Sequence, residues 1–77
     1  MRIQVLGPGC PRCKQLTANA EQAVKELGLD VQVEKVSELA EIMKFGVMMT
    51  PGLVIDGQVK SVGKVLSPQE IMGLLNP

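Results

Sequence analysis

The sequence predicts one α/β domain of order βαβαββα, a four-stranded mixed sheet with helices on both faces. Three observations predict it. Short runs rich in Val, Ile and Leu end in turn residues, as strands do. Apolar residues at three- and four-residue spacing, with cap residues at the ends, mark helices between them. At 77 residues the chain buries only about 60% of its unfolded surface and has material for a single core, so residues 1–77 form one domain.

Ile3, Val5 and Leu6 make the first strand, stopped by Gly7-Pro8-Gly9. Cys13, Leu16, Thr17, Ala20, Ala23, Val24 and Leu27 form the apolar stripe of the first helix. Pro11 stands where the first helical turn accepts proline, and Gly28 where a left-handed cap is expected. Glu21, Lys25 and Glu26 read as its solvated face. Val31, Val33 and Val36 give a second strand, and Ser37 should cap a short helix with Leu39, Ile42 and Met43 inward.

Leu53-Val54-Ile55, Asp56-Gly57 and Gln58 to Val62 read as a hairpin, because Asp-Gly suits a type I′ turn. Ser67-Pro68-Gln69-Glu70 is a capping box that opens a last helix, with Ile71, Met72, Leu74 and Leu75 inward. A strand, crossover helix and second strand imply a right-handed parallel unit, to which the hairpin adds antiparallel strands.

Composition closes several function classes. The chain has no histidine, so neither Cys-His nor Ser-His-Asp nucleophiles are available. Phe45 is its only aromatic residue, which leaves no stacking platform for single-stranded nucleic acid. Eight basic and eight acidic residues balance, so no basic footprint points to nucleic acid or an anionic membrane. No apolar stretch approaches the ~20 residues that span a bilayer, and Met1 to Leu6 is too short for a signal-peptide core. A cytoplasmic protein is expected. Gly7-Pro8-Gly9 is not a nucleotide loop, since Arg12 replaces the third glycine of that fingerprint.

The two cysteines lie in Cys10-Pro11-Arg12-Cys13. A disulfide over so short a loop removes little entropy from the unfolded chain, so reactivity or metal binding explains the pair better than stapling. Cys10 begins the helix, where unpaired amides and the helix dipole favour thiolate, and the Arg12 charge should act in the same direction. Cys13 falls on the apolar stripe and should be buried and less acidic. That asymmetry assigns attack to Cys10 and resolution to Cys13. The competing reading is a metal-binding or metallochaperone-type module. Met43, Met48, Met49 and Met72 read as core filler rather than soft ligands, with Met48 and Met49 also able to join an apolar patch beside Cys10. Thr50-Pro51, taken alone, reads as a trans proline opening a strand.

Gly9-Cys10-Pro11-Arg12-Cys13, followed by Gly46 to Pro51 and Leu53-Val54-Ile55-Asp56-Gly57, resembles the small, glutaredoxin-sized thioredoxin-like proteins of archaea and bacteria. The resemblance spans essentially the whole chain and implies the minimal thioredoxin fold. It implies a protein disulfide oxidoreductase without cofactor, using a redox-active disulfide. Its partners would be disulfide-containing proteins and a thioredoxin-reductase-type electron donor, and it would work as a monomer. By the same resemblance Pro51 is cis and packs on the cysteines, Thr50 presents backbone to substrate, and Gly63 lines the groove; Pro11 and Arg12 tune the thiolate. Metallochaperones instead follow the order βαββαβ and end in a strand. Larger thioredoxins carry tryptophan before the first cysteine and a buried acid six residues before it; here Gly9 and Gln4 stand there. The amide of Gln4 cannot accept a proton from the resolving thiol.

Overall fold

A computed structural model describes residues 1–75. The elements follow the predicted order: β1 (Ile3–Leu6), α1 (Pro11–Glu26), β2 (Val33–Val36), α2 (Leu39–Lys44), β3 (Gly52–Ile55), β4 (Gln58–Val62) and α3 (Pro68–Leu75). The sheet runs β2-β1-β3-β4. β1 pairs parallel with β2, Ile3 opposite Val33, and antiparallel with β3, Leu6 opposite Gly52. β3 and β4 form the hairpin, with a bulge between Leu53 and Val54. Asp56 at φ 52° and Gly57 at φ 80° are both left-handed, as a type I′ turn requires.

Strand alternation sorts the apolar residues into two cores. Ile3, Val5, Leu53 and Ile55 face α1 and α3, where they meet Leu16, Ala20, Ile71 and Leu75. Leu6 and Val54 face the other way, against Ile42 and Val47. Asn19 ties the first layer together, its side-chain N–H donating to the Leu66 carbonyl at 2.8 Å.

The caps of α3 are those predicted. The Ser67 N–H donates to the Glu70 carboxylate at 3.1 Å, and the Glu70 N–H to Ser67 Oγ at 3.2 Å. The short helix α2 departs from expectation. Its N-cap is Glu38, without a side-chain bond, and only Ile42 is buried. Leu39 is 70% exposed and Met43 64%. Six residues form too few turns to lay a stripe of three on the sheet, so one anchor holds the helix. Leu74 in α3 is likewise turned outward. Met43, Met48 and Met49 are not core filler: Met48 is 96% exposed and Met49 62%. Met72 alone of the four packs against the core.

All four strands run so that the C-terminal ends of β1 and β2, the start of β3 and the end of β4 share one edge of the sheet. The N-terminus of α1 and the segment Val47 to Pro51 converge on that edge. The candidate site is built there.

Candidate active site

Cys10 is the N-cap of α1, with φ −66° and ψ 164°, and its own sulfur is the capping group. The Cys13 backbone N–H donates to Cys10 Sγ at 3.3 Å. Helix geometry dictates this contact, because an N-cap side chain reaches the amide three residues on. Pro11 follows as the first helical residue, where its missing N–H costs nothing. Both thiols are free; Cys10 is half-buried and Cys13 buried.

The two sulfurs differ in acidity for stated reasons. Hydrogen bonds from the Cys13 thiol and the Cys13 backbone amide hold Cys10 below the ordinary thiol value. Cys13 is pushed above it, first by burial and then by its bond to Cys10. The Arg12 guanidinium is turned away from the sulfur: its terminal amino group donates to the Gly63 carbonyl at 2.8 Å, and Arg12 lowers the Cys10 value through its backbone amide rather than through the expected side-chain charge.

Gly7 lets the two halves of the site meet. A Cβ there would fall on Cys13 Sγ and lie 2.9 Å from Cys13 Cβ, with the Thr50 Cβ 3.9 Å away on the other side. The Gly7 N–H is bonded to the Val36 carbonyl at 2.9 Å, which fixes the loop that carries it. In the sequence Gly7-Pro8-Gly9 reads as a strand stop and an open loop beside the cysteines; in the structure the lack of a side chain on Gly7 is what seats Cys13.

The Thr50–Pro51 bond is cis, as the resemblance implied and against the reading of the isolated dipeptide. Pro51 is buried and Thr50 half-buried. The Gly63 N–H donates to the Pro51 carbonyl at 2.7 Å. Gly63 sits at φ 72°, and a Cβ on it would meet the Met49 side chain at 3.3 Å. The structure therefore gathers Cys10, Arg12, Cys13, Thr50, Pro51 and Gly63 at one edge, with the exposed Met48 and Met49 alongside.

Gln4 does not belong to this group. Alternation along β1 places it with Leu6 on the α2 face, whereas Val5 faces α1. A cavity of about 130 Å³ beside Cys13 is lined by Val5, Thr17, Lys14, Lys35 and Ser37, with no carboxylate. Thr17 also donates its hydroxyl to the Cys13 carbonyl at 2.9 Å. The β1 residue that shares this cavity with Cys13 is thus Val5, and Gln4, six residues before Cys10, lies on the opposite face of the strand.

Residues 1–76 match the family described as thioredoxin domain. The chain belongs to the thioredoxin family. It is 45% identical over 76 residues to a thioredoxin of Methanothermobacter thermautotrophicus, covering 99% of both chains. It is 41% identical over 69 residues to a thioredoxin of Methanocaldococcus jannaschii, covering 90% of this chain and 79% of the relative. A probable thioredoxin of Methanothermobacter marburgensis is 33% identical over 67 residues, covering 82% and 79% respectively. As a thioredoxin-family protein, the chain is a thiol–disulfide oxidoreductase with its CxxC pair at Cys10 and Cys13, acting on protein disulfides. Family membership decides between this reading and the metal-binding module, and the terminal helix α3 agrees with it. No helix among the described residues is long and apolar enough to cross a membrane.

Proposed function

We propose that Cys10 is the attacking thiolate and Cys13 the resolving thiol, in reduction of cytoplasmic protein disulfides by a monomer. The opposed acidities of the two sulfurs carry this reading. Cys10 Sγ attacks one sulfur of the substrate disulfide; a mixed disulfide forms, and the substrate's S–S electron pair leaves on its second sulfur, which takes a proton from water. Cys13 then gives its proton to water, for which the cavity beside it has room and polar partners in Thr17 and Ser37. Its thiolate attacks Cys10 Sγ, the Cys10–Cys13 bond forms, and the first substrate sulfur departs as thiolate. The substrate gains two electrons and the protein's dithiol loses them. An external dithiol donor of the thioredoxin-reductase type restores the pair.

In this scheme the Thr50 backbone pairs with the substrate's extended chain by strand addition. Pro51 and Gly63 shape the groove, and Pro11 starts the helix that polarises Cys10.

The roles are tested by trapping. Cys13→Ser is expected to accumulate mixed disulfides through Cys10, and Cys10→Ser to accumulate none; equal trapping by both would refute the assignment. A second expectation concerns pH. Because the Cys10 value is lowered and the Cys13 value raised, alkylation of the reduced protein should begin at Cys10 below the pH at which an ordinary thiol ionises. Labelling of Cys13 should follow only above that range. Mass mapping across a pH series reads both, and simultaneous labelling contradicts the expectation.

A further inference from the structure

We propose that Arg12 is the specificity residue of this disulfide-exchange site: held over the groove by the Gly63 carbonyl, its guanidinium pairs with an acidic side chain beside the substrate's half-cystine. The proposal rests on the roles given above to Cys10 and the groove.

Arg12 stands between the two cysteines, two residues from the sulfur to which a substrate would be joined. Its bond to the Gly63 carbonyl is 2.8 Å, and the Gly63 N–H is in turn held by Pro51 at 2.7 Å. One glycine thus links the cysteine helix to the segment that faces substrate, and the guanidinium is pinned at the junction. Pinning matters for recognition, because a long exposed side chain otherwise loses rotamer freedom on binding.

The remaining donors are available. A guanidinium has five N–H groups, and the single side-chain bond of Arg12 among the described residues is that to Gly63. The ion pairs among those residues are Arg2–Glu34 and Lys44–Glu41, so no carboxylate among the described residues pairs with Arg12. The first turn of α1 holds no acidic side chain, and the neighbours Lys14 and Lys64 are cationic. Local helix energetics favour acids at this position. A cation placed there against that preference is explained by what it meets during the reaction. An anionic side chain on the substrate would find a fixed fork donor, with Met48 and Met49 offering apolar contact nearby.

The test uses prereduced protein and three disulfide-bonded peptides that differ only in Glu, Gln or Lys next to the half-cystine. The reaction is peptide disulfide plus protein dithiol giving peptide dithiol plus protein disulfide. For a pair at an exposed rim, the wild-type protein should favour the Glu over the Lys peptide by about fivefold in kcat/KM at low salt. Near 1 M salt, where the Debye length is about 3 Å, the preference should shrink toward unity. Arg12→Gln should erase it, while Lys25→Gln, the same charge change at the far end of α1, should keep it. The preference is a ratio across peptides attacked by one sulfur, so any change in Cys10 acidity cancels. Equal rates on the three peptides in the wild-type protein, or a preference that survives Arg12→Gln, overturns the proposal. Failure to reduce any peptide would overturn the cysteine roles as well, which distinguishes the two failures.

Discussion

Gly7→Ala is expected to cripple the exchange reaction while leaving a folded, weakened protein. The added methyl group would occupy the place of Cys13 Sγ and lie 2.9 Å from Cys13 Cβ. Rotating the sulfur cannot relieve the second contact, because Cβ moves only with the backbone of α1. Gly7 cannot retreat freely either, since its amide is bonded to Val36 at 2.9 Å. Overpacking of this kind costs about 1–3 kcal/mol, which the domain can bear. The cost to catalysis is larger. Moving a reacting group by about 1 Å can cost roughly 100-fold, and the Cys13 thiol is held in hydrogen-bond contact with Cys10. The expected result is a fall of about that size in kcat/KM for a disulfide peptide, with retained circular dichroism and a lowered unfolding midpoint. A folded Gly7→Ala protein with wild-type turnover would show that Gly7 does not seat Cys13.

Leu16→Ala should be the most destabilising single truncation in α1. Leu16 is fully buried between the helix and the sheet, so its loss removes transfer energy and leaves a cavity, together about 2–5 kcal/mol. A domain of this size has a total stability of roughly 4–12 kcal/mol by the usual per-residue scaling. The midpoint of thermal unfolding should therefore drop by about 10–30 °C. Leu39→Ala supplies the contrast: that leucine is 70% exposed, and its removal should change stability by no more than about 0.5 kcal/mol. A Leu16→Ala variant as stable as Leu39→Ala would contradict the placement of the main core. Activity per folded molecule should fall as well, because Leu16 lies one turn beyond Cys13 and fixes the height of α1 above the sheet.

The elements that could be read from sequence are those whose signal is local. The Asp56-Gly57 turn, the Ser67 to Glu70 capping box and the stripe of α1 each depend on residues within one or two turns of each other. The short helix α2 is legible in its place but not in its stripe: with six residues, Leu39 and Met43 have no partner surface to reach. The cysteines were legible for the same local reason, since the N-cap position of Cys10 follows from Pro11 and the stripe. The rest of the site is assembled across the chain. The bond from Arg12 to Gly63 spans 51 positions, and no spacing rule reports it. The face of Val5 and Gln4 depends on where β1 begins within the pleat, and a one-residue error reverses it. The tight seat of Cys13 on Gly7 is likewise a contact between two elements, invisible until both are placed.

Under the proposed scheme Cys10 has two occupations, nucleophile and helix cap, and a single sulfur cannot hold both throughout a turnover. While the thiolate is free, the Cys13 amide rests on it. Once that sulfur is spent in a bond to substrate it carries no charge and is a poorer acceptor. The first turn of α1 then loses up to about 1 kcal/mol of cap, in the state from which the Cys13 thiol is to react. In that scheme the mixed disulfide loosens the first turn that carries both cysteines, and reduction of the pair restores the cap.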